Sequence, residues 1–215
     1  MVFLPSRPTT HERQQIQTQT ETENSDIGPG ARTIVDLTDV VGTIRDVDHL
    51  QSVAFLAQEF GLLAAPTFLF GSRGGEGDAG TACSRPHSVL LEGHFYALLC
   101  EKVIDRDGTG RLSPRRDLYA VPHSGLAGRR LSALAALSPR DTAVFAAAVL
   151  RLARQGCYAG SPRHDAAFYD AVALLAAIDE DEPAVDTAAI CAVRRHLIPA
   201  EPLQLMAGQL EAVGR

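Results

Sequence analysis

The sequence predicts a mixed α+β fold, in which a small antiparallel sheet or hairpins from the first half of the chain pack against a mostly helical second half. Short segments rich in β-branched and aromatic residues, bounded by glycine and proline, are concentrated in residues 66–121. Two later segments, 139–152 and 162–178, are apolar on almost every face when drawn as helices. An ordinary surface helix confines its apolar residues to one stripe about 100° wide.

Composition sets the broad class of protein. The chain has 215 residues, 46% of them hydrophobic, which suits one domain with a real core. The net charge of −6 argues against nucleic acid as a partner, because phosphate binding requires a concentrated basic face. The four cysteines are widely spaced, and no secretory signal or membrane-spanning segment is recognisable. We therefore expect a reducing, intracellular location.

The chain is predicted to begin with a tail. Residues 1–32 are rich in Gln, Thr and Glu and are predicted to be disordered, with a single globular α/β domain over residues 33–215. Residues 34–41 predict a short strand or one helical turn. A helix is predicted over 47–60, with Asp46 as its N-cap and Gly61 just beyond its end.

The middle of the chain predicts strands. Apolar and aromatic runs indicate strands at 66–70, 89–91 and 95–104, and a glycine-rich loop is predicted over 71–80. The Asp-Gly-Thr-Gly run at 107–110 favours an antiparallel hairpin across 105–113, with a returning strand at 118–121. A helix–loop–helix over 95–121 remains an alternative.

The second half carries helix-start signals. The triplet Ser-Pro-Arg begins at Ser113, Ser138 and Ser161, and serine at the N-cap followed by proline favours a helix. Ser113 can also be interpreted as a proline-directed phosphorylation site, although the structural role is favoured. Two further helices are predicted, one capped by Asp186 and ending near Leu197 and one over 202–213.

Two metal sites can be considered. Residues 105–112 match an EF-hand loop at several positions, but Arg116 stands where the final bidentate carboxylate belongs. A zinc set could be assembled only from ligands at an unfamiliar spacing, and ordinary structural histidines and thiols explain these residues better. The residues of that set are Cys83, His87, His94 and Cys100. We therefore predict no metal and no cofactor.

Residues 68–73, Phe-Leu-Phe-Gly-Ser-Arg, resemble the Gly-Ser loop of nucleotidyltransferases. In those enzymes an acidic pair on the next strand holds Mg²⁺, whereas Arg85 and His87 occupy the corresponding positions here. Phosphoryl chemistry without metal-binding acids lacks its main source of charge stabilisation. A degenerate nucleotidyltransferase-like enzyme or pseudoenzyme is therefore the alternative function, and we predict no catalytic activity.

The apolar helices at 139–152 and 162–178 predict a different function. They form either the core of the domain or a surface on which a partner helix docks. For the docking surface the predicted residues are Val149, Leu152, Leu174 and Leu175.

The order of these features resembles the herpesvirus cytoplasmic envelopment protein 1 family of tegument proteins, over most of the chain after the tail. The similar stretches are Pro66-Thr67-Phe68, Tyr119 to Pro122, Arg130-Leu131-Ser132, the helix bearing Asp141, Phe145 and Leu150, Cys157, the helix bearing Phe168, and Arg194-Arg195.

The resemblance implies a compact α/β domain without enzymatic activity. It also implies that the chain binds a second, palmitoylated and helical tegument protein and supports secondary envelopment of virions. The expected location is then the host cytoplasm and Golgi region and the virion tegument. Contact with membranes would be indirect, through the partner.

Overall fold

The computed structural model describes residues 28–63, 67–73, 84–115, 126–155, 163–177 and 184–198. Over these residues it contains seven α-helices and two small antiparallel sheets, which confirms the mixed, mostly helical α+β fold. The helices are α1 (Pro29–Val41), α2 (Val47–Glu59), α3 (Val89–Cys100), α4 (Leu126–Ser132), α5 (Pro139–Arg154), α6 (Arg163–Ala176) and α7 (Thr187–Leu197). The strands are β1 (Gly71–Arg73), β2 (Arg85–His87), β3 (Ile104–Arg106) and β4 (Leu112–Pro114), and a 3₁₀ helix spans Ala133–Ala136.

Helix α2 is the centre of the fold. Helices α1, α3 and α5 and strand β2 all contact it, so every residue from His49 to Ala57 is buried. The helix begins where the Asp46 carboxylate accepts the His49 N–H at 2.8 Å, and it ends before Gly61, whose φ of +63° suits glycine. The helix predicted over 47–60 is thus confirmed, although all its sides, rather than one face, are enclosed.

Helices α5 and α6 form the second layer of the core, as predicted. The Ser138 hydroxyl accepts the Asp141 N–H at 3.0 Å and donates to the Asp141 carboxylate at 2.7 Å, which fixes the start of α5. Helix α5 then packs between α2 and α6. Its Phe145 ring lies 5.9 Å from that of Phe60 and 5.7 Å from that of Phe168, so an aromatic row joins the three elements.

The hairpin predicted across 105–113 is confirmed. Strands β3 and β4 are antiparallel, with Asp105 opposite Ser113. One carboxylate oxygen of Asp107 accepts the N–H groups of Thr109 at 2.8 Å and Arg111 at 3.0 Å, which closes the turn. Because Ser113 lies in strand β4, its interpretation as a helix cap is wrong. The predicted returning strand at 118–121 lies outside the described residues.

Several local predictions are wrong. The segments 89–91 and 95–100, predicted as strands, belong to one helix, α3. Residues 34–41, predicted as a strand or a helical turn, are the end of helix α1, so the helical alternative is the correct one. Strand β1 occupies 71–73, where a loop was predicted, whereas residues 67–70 are not in a strand. Short apolar runs fit the period of a helix as well as that of a strand. Which of the two forms therefore depends on the elements that pack against the run.

The predicted tail extends too far into the domain. Helix α1 begins at Pro29, so residues 29–32 are helical. Proline at the first helical position has its backbone angle already set. Gly30 lets α1 approach α3 closely, since a Cβ there would lie 2.9 Å from Cδ2 of His94. Residues 1–27, Ser161 and the predicted helix at 202–213 lie outside the described residues.

In the described part of the chain, no single helix is long and apolar enough to cross a bilayer. Residues Gly128–Ala136 and helix α5 reach that length and composition only when taken together, and they are bent by 118°.

Candidate docking surface

Helix α3 carries apolar side chains on both its inner and its outer face. Leu91, Phe95 and Leu98 are buried against the domain. The outer face nevertheless contains large apolar side chains, with Val89 76%, Leu90 54% and Tyr96 50% exposed. A helix that is apolar all round is normally covered on every side, so this outer face lacks a partner within the described residues.

The outer face of α3 has the spacing of a helix-packing seam. Its exposed positions fall within a sector of about 120° at the usual 100° per residue. They are Val89, Leu90, Gly93, Tyr96, Ala97 and Cys100. Four of them recur at intervals of four, three and four residues, as in the seam of a coiled coil. Gly93 and Ala97, one turn apart, leave room for another helix to approach closely. We call these six residues the α3 face.

The start of the α3 face is held in place by a side chain of the central helix. The Gln51 amide accepts the Ser88 N–H at 2.9 Å and donates to the Ser88 carbonyl at 3.0 Å. The Ser88 hydroxyl in turn accepts the Leu91 N–H at 3.4 Å as the N-cap of α3. Because Gln51 holds the backbone of Ser88, it also fixes the position of Val89 and Leu90, the next two residues along the chain.

A second glutamine of α2 holds the neighbouring segment in the same way. Gln58 lies two turns after Gln51; its amide donates to the Phe68 carbonyl at 3.0 Å and accepts the Phe68 N–H at 3.2 Å. The next residue, Leu69, is 92% exposed. The Phe68 ring and His94 of α3 both lie within 4 Å of the Cβ position at Gly30, so the ring of Phe68 lies close to α3.

Acidic residues border the α3 face. Glu92 lies on one side of the helix and Glu101, which is exposed, follows at its end on the other side. Glu92 is joined to His87 of β2 by a 2.9 Å contact between its Oε2 and the imidazole Nε2. The surface is thus an apolar stripe between two carboxylates, which favours a partner with flanking positive charge.

The four residues predicted for docking have different positions in the structure. Val149, Leu152 and Leu175 are buried in the core that α5 and α6 share with the rest of the domain. None of these three forms part of the surface. Leu174 is 46% exposed on α6 and is the only one of the four with an exposed side chain.

The Gly-Ser loop does not form a recognisable phosphate site in the described residues. Gly71 to Arg73 form strand β1, which pairs antiparallel with β2, so that Gly71 lies opposite His87 and Arg73 opposite Arg85. No carboxylate therefore faces the loop from the paired strand. Nothing in this arrangement favours the nucleotidyltransferase alternative.

Cys83 of the possible zinc set lies outside the described residues, and the structure does not bring the described members of either metal set together. Within the described ranges, no three His, Cys, Asp or Glu residues lie close enough to hold an ion. Asp107 is used by the hairpin turn, and its hydrogen bonds with Thr109 and Arg111 lower the pKa of its carboxyl. Cys191 is buried, and burial raises the pKa of its thiol, which makes it a poor nucleophile.

Comparison with protein-family models, with curated proteins and with solved structures returned no match for this chain.

Proposed function

We propose that this chain is a non-enzymatic interaction protein whose α3 face docks an amphipathic helix of a partner protein. The observation that carries the proposal is the outer face of α3, where Val89, Leu90 and Tyr96 are exposed to solvent within one sector of the helix. Exposed apolar groups arranged contiguously on one element mark interaction sites in soluble proteins.

The chemistry of the surroundings supports one kind of partner. The carboxylates of Glu92 and Glu101 would oppose an anionic lipid surface but would attract Arg or Lys side chains beside the apolar seam of a helix. Gly93 and Ala97 provide space for its backbone. The partner helix is therefore apolar along one stripe and basic along its borders.

The family resemblance supports a biological setting for this docking. We propose that the partner is a palmitoylated, helical tegument protein and that the complex supports virion assembly and secondary envelopment. The chain would then act in the host cytoplasm and Golgi region, and it would reach membranes only through the acylated partner. Six of the residues similar to that family lie in α5, α6 and α7, the scaffold behind the central helix, namely Asp141, Phe145, Leu150, Phe168, Arg194 and Arg195.

Affinity capture from cells that naturally produce the chain tests the proposal. The test variant, the α3 variant, combines Val89→Glu with Leu90→Glu. Both positions lie in the first turn of α3, where acidic residues favour a helix, so the fold is retained. Burial of each side chain would contribute roughly 1.5 kcal/mol or more, so we expect the α3 variant to lose binding by about 100-fold.

The matched control is Leu174→Glu, which places the same charge on the exposed leucine of α6. The proposal requires that a helical partner identified by mass spectrometry be lost with the α3 variant and retained with Leu174→Glu. The reverse pattern would move the docking surface to α6. Capture that survives both changes would refute docking through either apolar surface.

A further inference from the structure

A small cleft lies between the last turns of α5 and α6 and the start of β2. Its volume is about 180 Å³. Apolar side chains form its floor, and polar side chains form its rim. The lining residues are Ser84, Ala147, Leu150, Arg151, Arg154, Gln155 and Leu175.

The residues at the floor of the cleft are slightly more exposed to solvent than the neighbouring core residues. Ala147 and Leu150 are each 7% exposed and Leu175 is 6% exposed, whereas Phe145, Ala146 and Ala148 beside them in α5 are fully buried. An aliphatic group that entered the cleft would therefore contact three apolar side chains and remove them from water.

The rim of the cleft is positively charged. Arg151 and Arg154 are three residues apart in α5, so their side chains lie on the same side of the helix. Both are exposed, no ion pair joins either one to another described residue, and none of the described lining residues is a carboxylate. The dipole of α5 favours positive charge at the C-terminal end of the helix. It does not explain why two guanidinium groups border the same cleft.

We propose that this cleft binds a carboxylate that is attached to, or adjacent to, a branched aliphatic group. The guanidinium groups of Arg151 and Arg154 hold the carboxylate, and the aliphatic group rests on Ala147, Leu150 and Leu175. The volume suits a single residue and is below the roughly 300–1,000 Å³ of clefts that hold drug-sized ligands, so a nucleotide would not fit. The source is either the carboxyl terminus of a chain ending in leucine or an internal Leu-Glu pair.

Fluorescence anisotropy with three labelled peptides and the full chain tests this site. The first peptide ends in leucine with a free carboxylate, the second is its amide, and the third is an amide with an internal Leu-Glu pair. We expect the first or the third to bind at least about tenfold more tightly than the second, because the charge-assisted hydrogen bonds are lost in the second. Which of the two binds identifies the source of the carboxylate.

Three variants assign the binding to the cleft. Arg151→Gln and Arg154→Gln should each weaken binding by about tenfold, whereas Arg129→Gln, an exposed arginine of α4, should leave it unchanged. Ala147→Leu fills the floor and should block binding while the arginines remain. Equal binding of all three peptides, displacement by inorganic phosphate at peptide concentrations, or binding unaffected by the Arg151 and Arg154 changes would overturn the proposal.

Discussion

At the scale of single residues, the most unusual side chain is His49 in the central helix. It is buried, and neither nitrogen of its imidazole has a hydrogen-bond partner among the described residues. Burial disfavours the charged form and lowers the pKa of His49 from 6.5 to about 4, against a smaller opposing effect of Asp46. The folded state therefore holds His49 neutral at neutral pH.

This lowered pKa predicts loss of stability in mild acid. Between pH 6.5 and 4 the unfolded chain binds a proton at His49 that the folded chain does not bind, so the free energy of unfolding falls as pH decreases. We expect His49 to cost about 2 kcal/mol of stability between pH 7 and pH 5. Urea denaturation at the two pH values measures the difference.

Two substitutions separate the charge of His49 from its unpaired polar atoms. His49→Leu should remove this part of the pH dependence and raise stability at pH 7, because no buried polar group is left unpaired. His49→Gln should remove the pH dependence without the gain in stability. A wild-type pH dependence in both variants would show that another group controls acid unfolding.

At the scale of elements, two glutamines of α2 connect segments that are distant in sequence. Gln51 pairs with the backbone of Ser88, 37 residues away, and Gln58 pairs with that of Phe68. Each amide bonds the N–H and the C=O of its partner residue, and the Gln58 amide oxygen also accepts the Thr67 N–H at 3.2 Å. The Gln51 contact positions Val89 at the start of the α3 face, so this face depends on the buried helix behind it. The Gln58 contact positions the separate segment from which Leu69 enters solvent.

Loss of either glutamine should release its own segment. Gln58→Leu leaves the N–H and C=O groups of Phe68 without partners, and we expect a cost of about 1–3 kcal/mol in the free energy of unfolding. Hydrogen exchange should show reduced protection at the Phe68 amide and unchanged protection at the Ser88 amide. Gln51→Leu should give the reverse pattern.

Glu59→Leu is the control for the glutamine substitutions, because it adds leucine to the exposed end of the same helix without removing these hydrogen bonds. Equal loss of protection at both amides in all three variants would mean that α2 itself is destabilised. The glutamines would then have no separate positioning role.

The same elements show how far the sequence could predict the fold. Local signals at Asp46, Ser138 and Asp107 act over a few residues, and the two helices and the hairpin that they predict are confirmed. Helix α3 was missed because residues 89–100 are mostly apolar, and Glu92 and His94 lie on different sides of the helix, so no polar face gives a period that can be read. The contact that aligns its start spans 37 residues, which no local pattern reveals.

At the scale of the whole molecule, the distribution of apolar surface differs from that predicted. The sequence predicts more apolar helical surface than the chain can cover, at α5 and α6. In the structure α2, α6 and α7 cover most of α5, whereas the outer face of α3 is left in solvent. The amount of apolar sequence is visible in the composition, but which helix stays uncovered depends on how the helices are packed.

This uncovered surface predicts the behaviour of the isolated chain. The side chains of Val89, Leu90 and Tyr96 lie together on one helix, so two copies can bury them against each other when no partner is present. Sedimentation velocity should show association that increases with protein concentration, and the α3 variant should remain monomeric, because two glutamates on each copy would face one another.

Leu174→Glu should associate like the wild type, since Leu174 lies on a different helix. A wild-type chain that stays monomeric and binds no apolar dye at high concentration would show that another part of the chain covers the α3 face, and the docking proposal would fail with it.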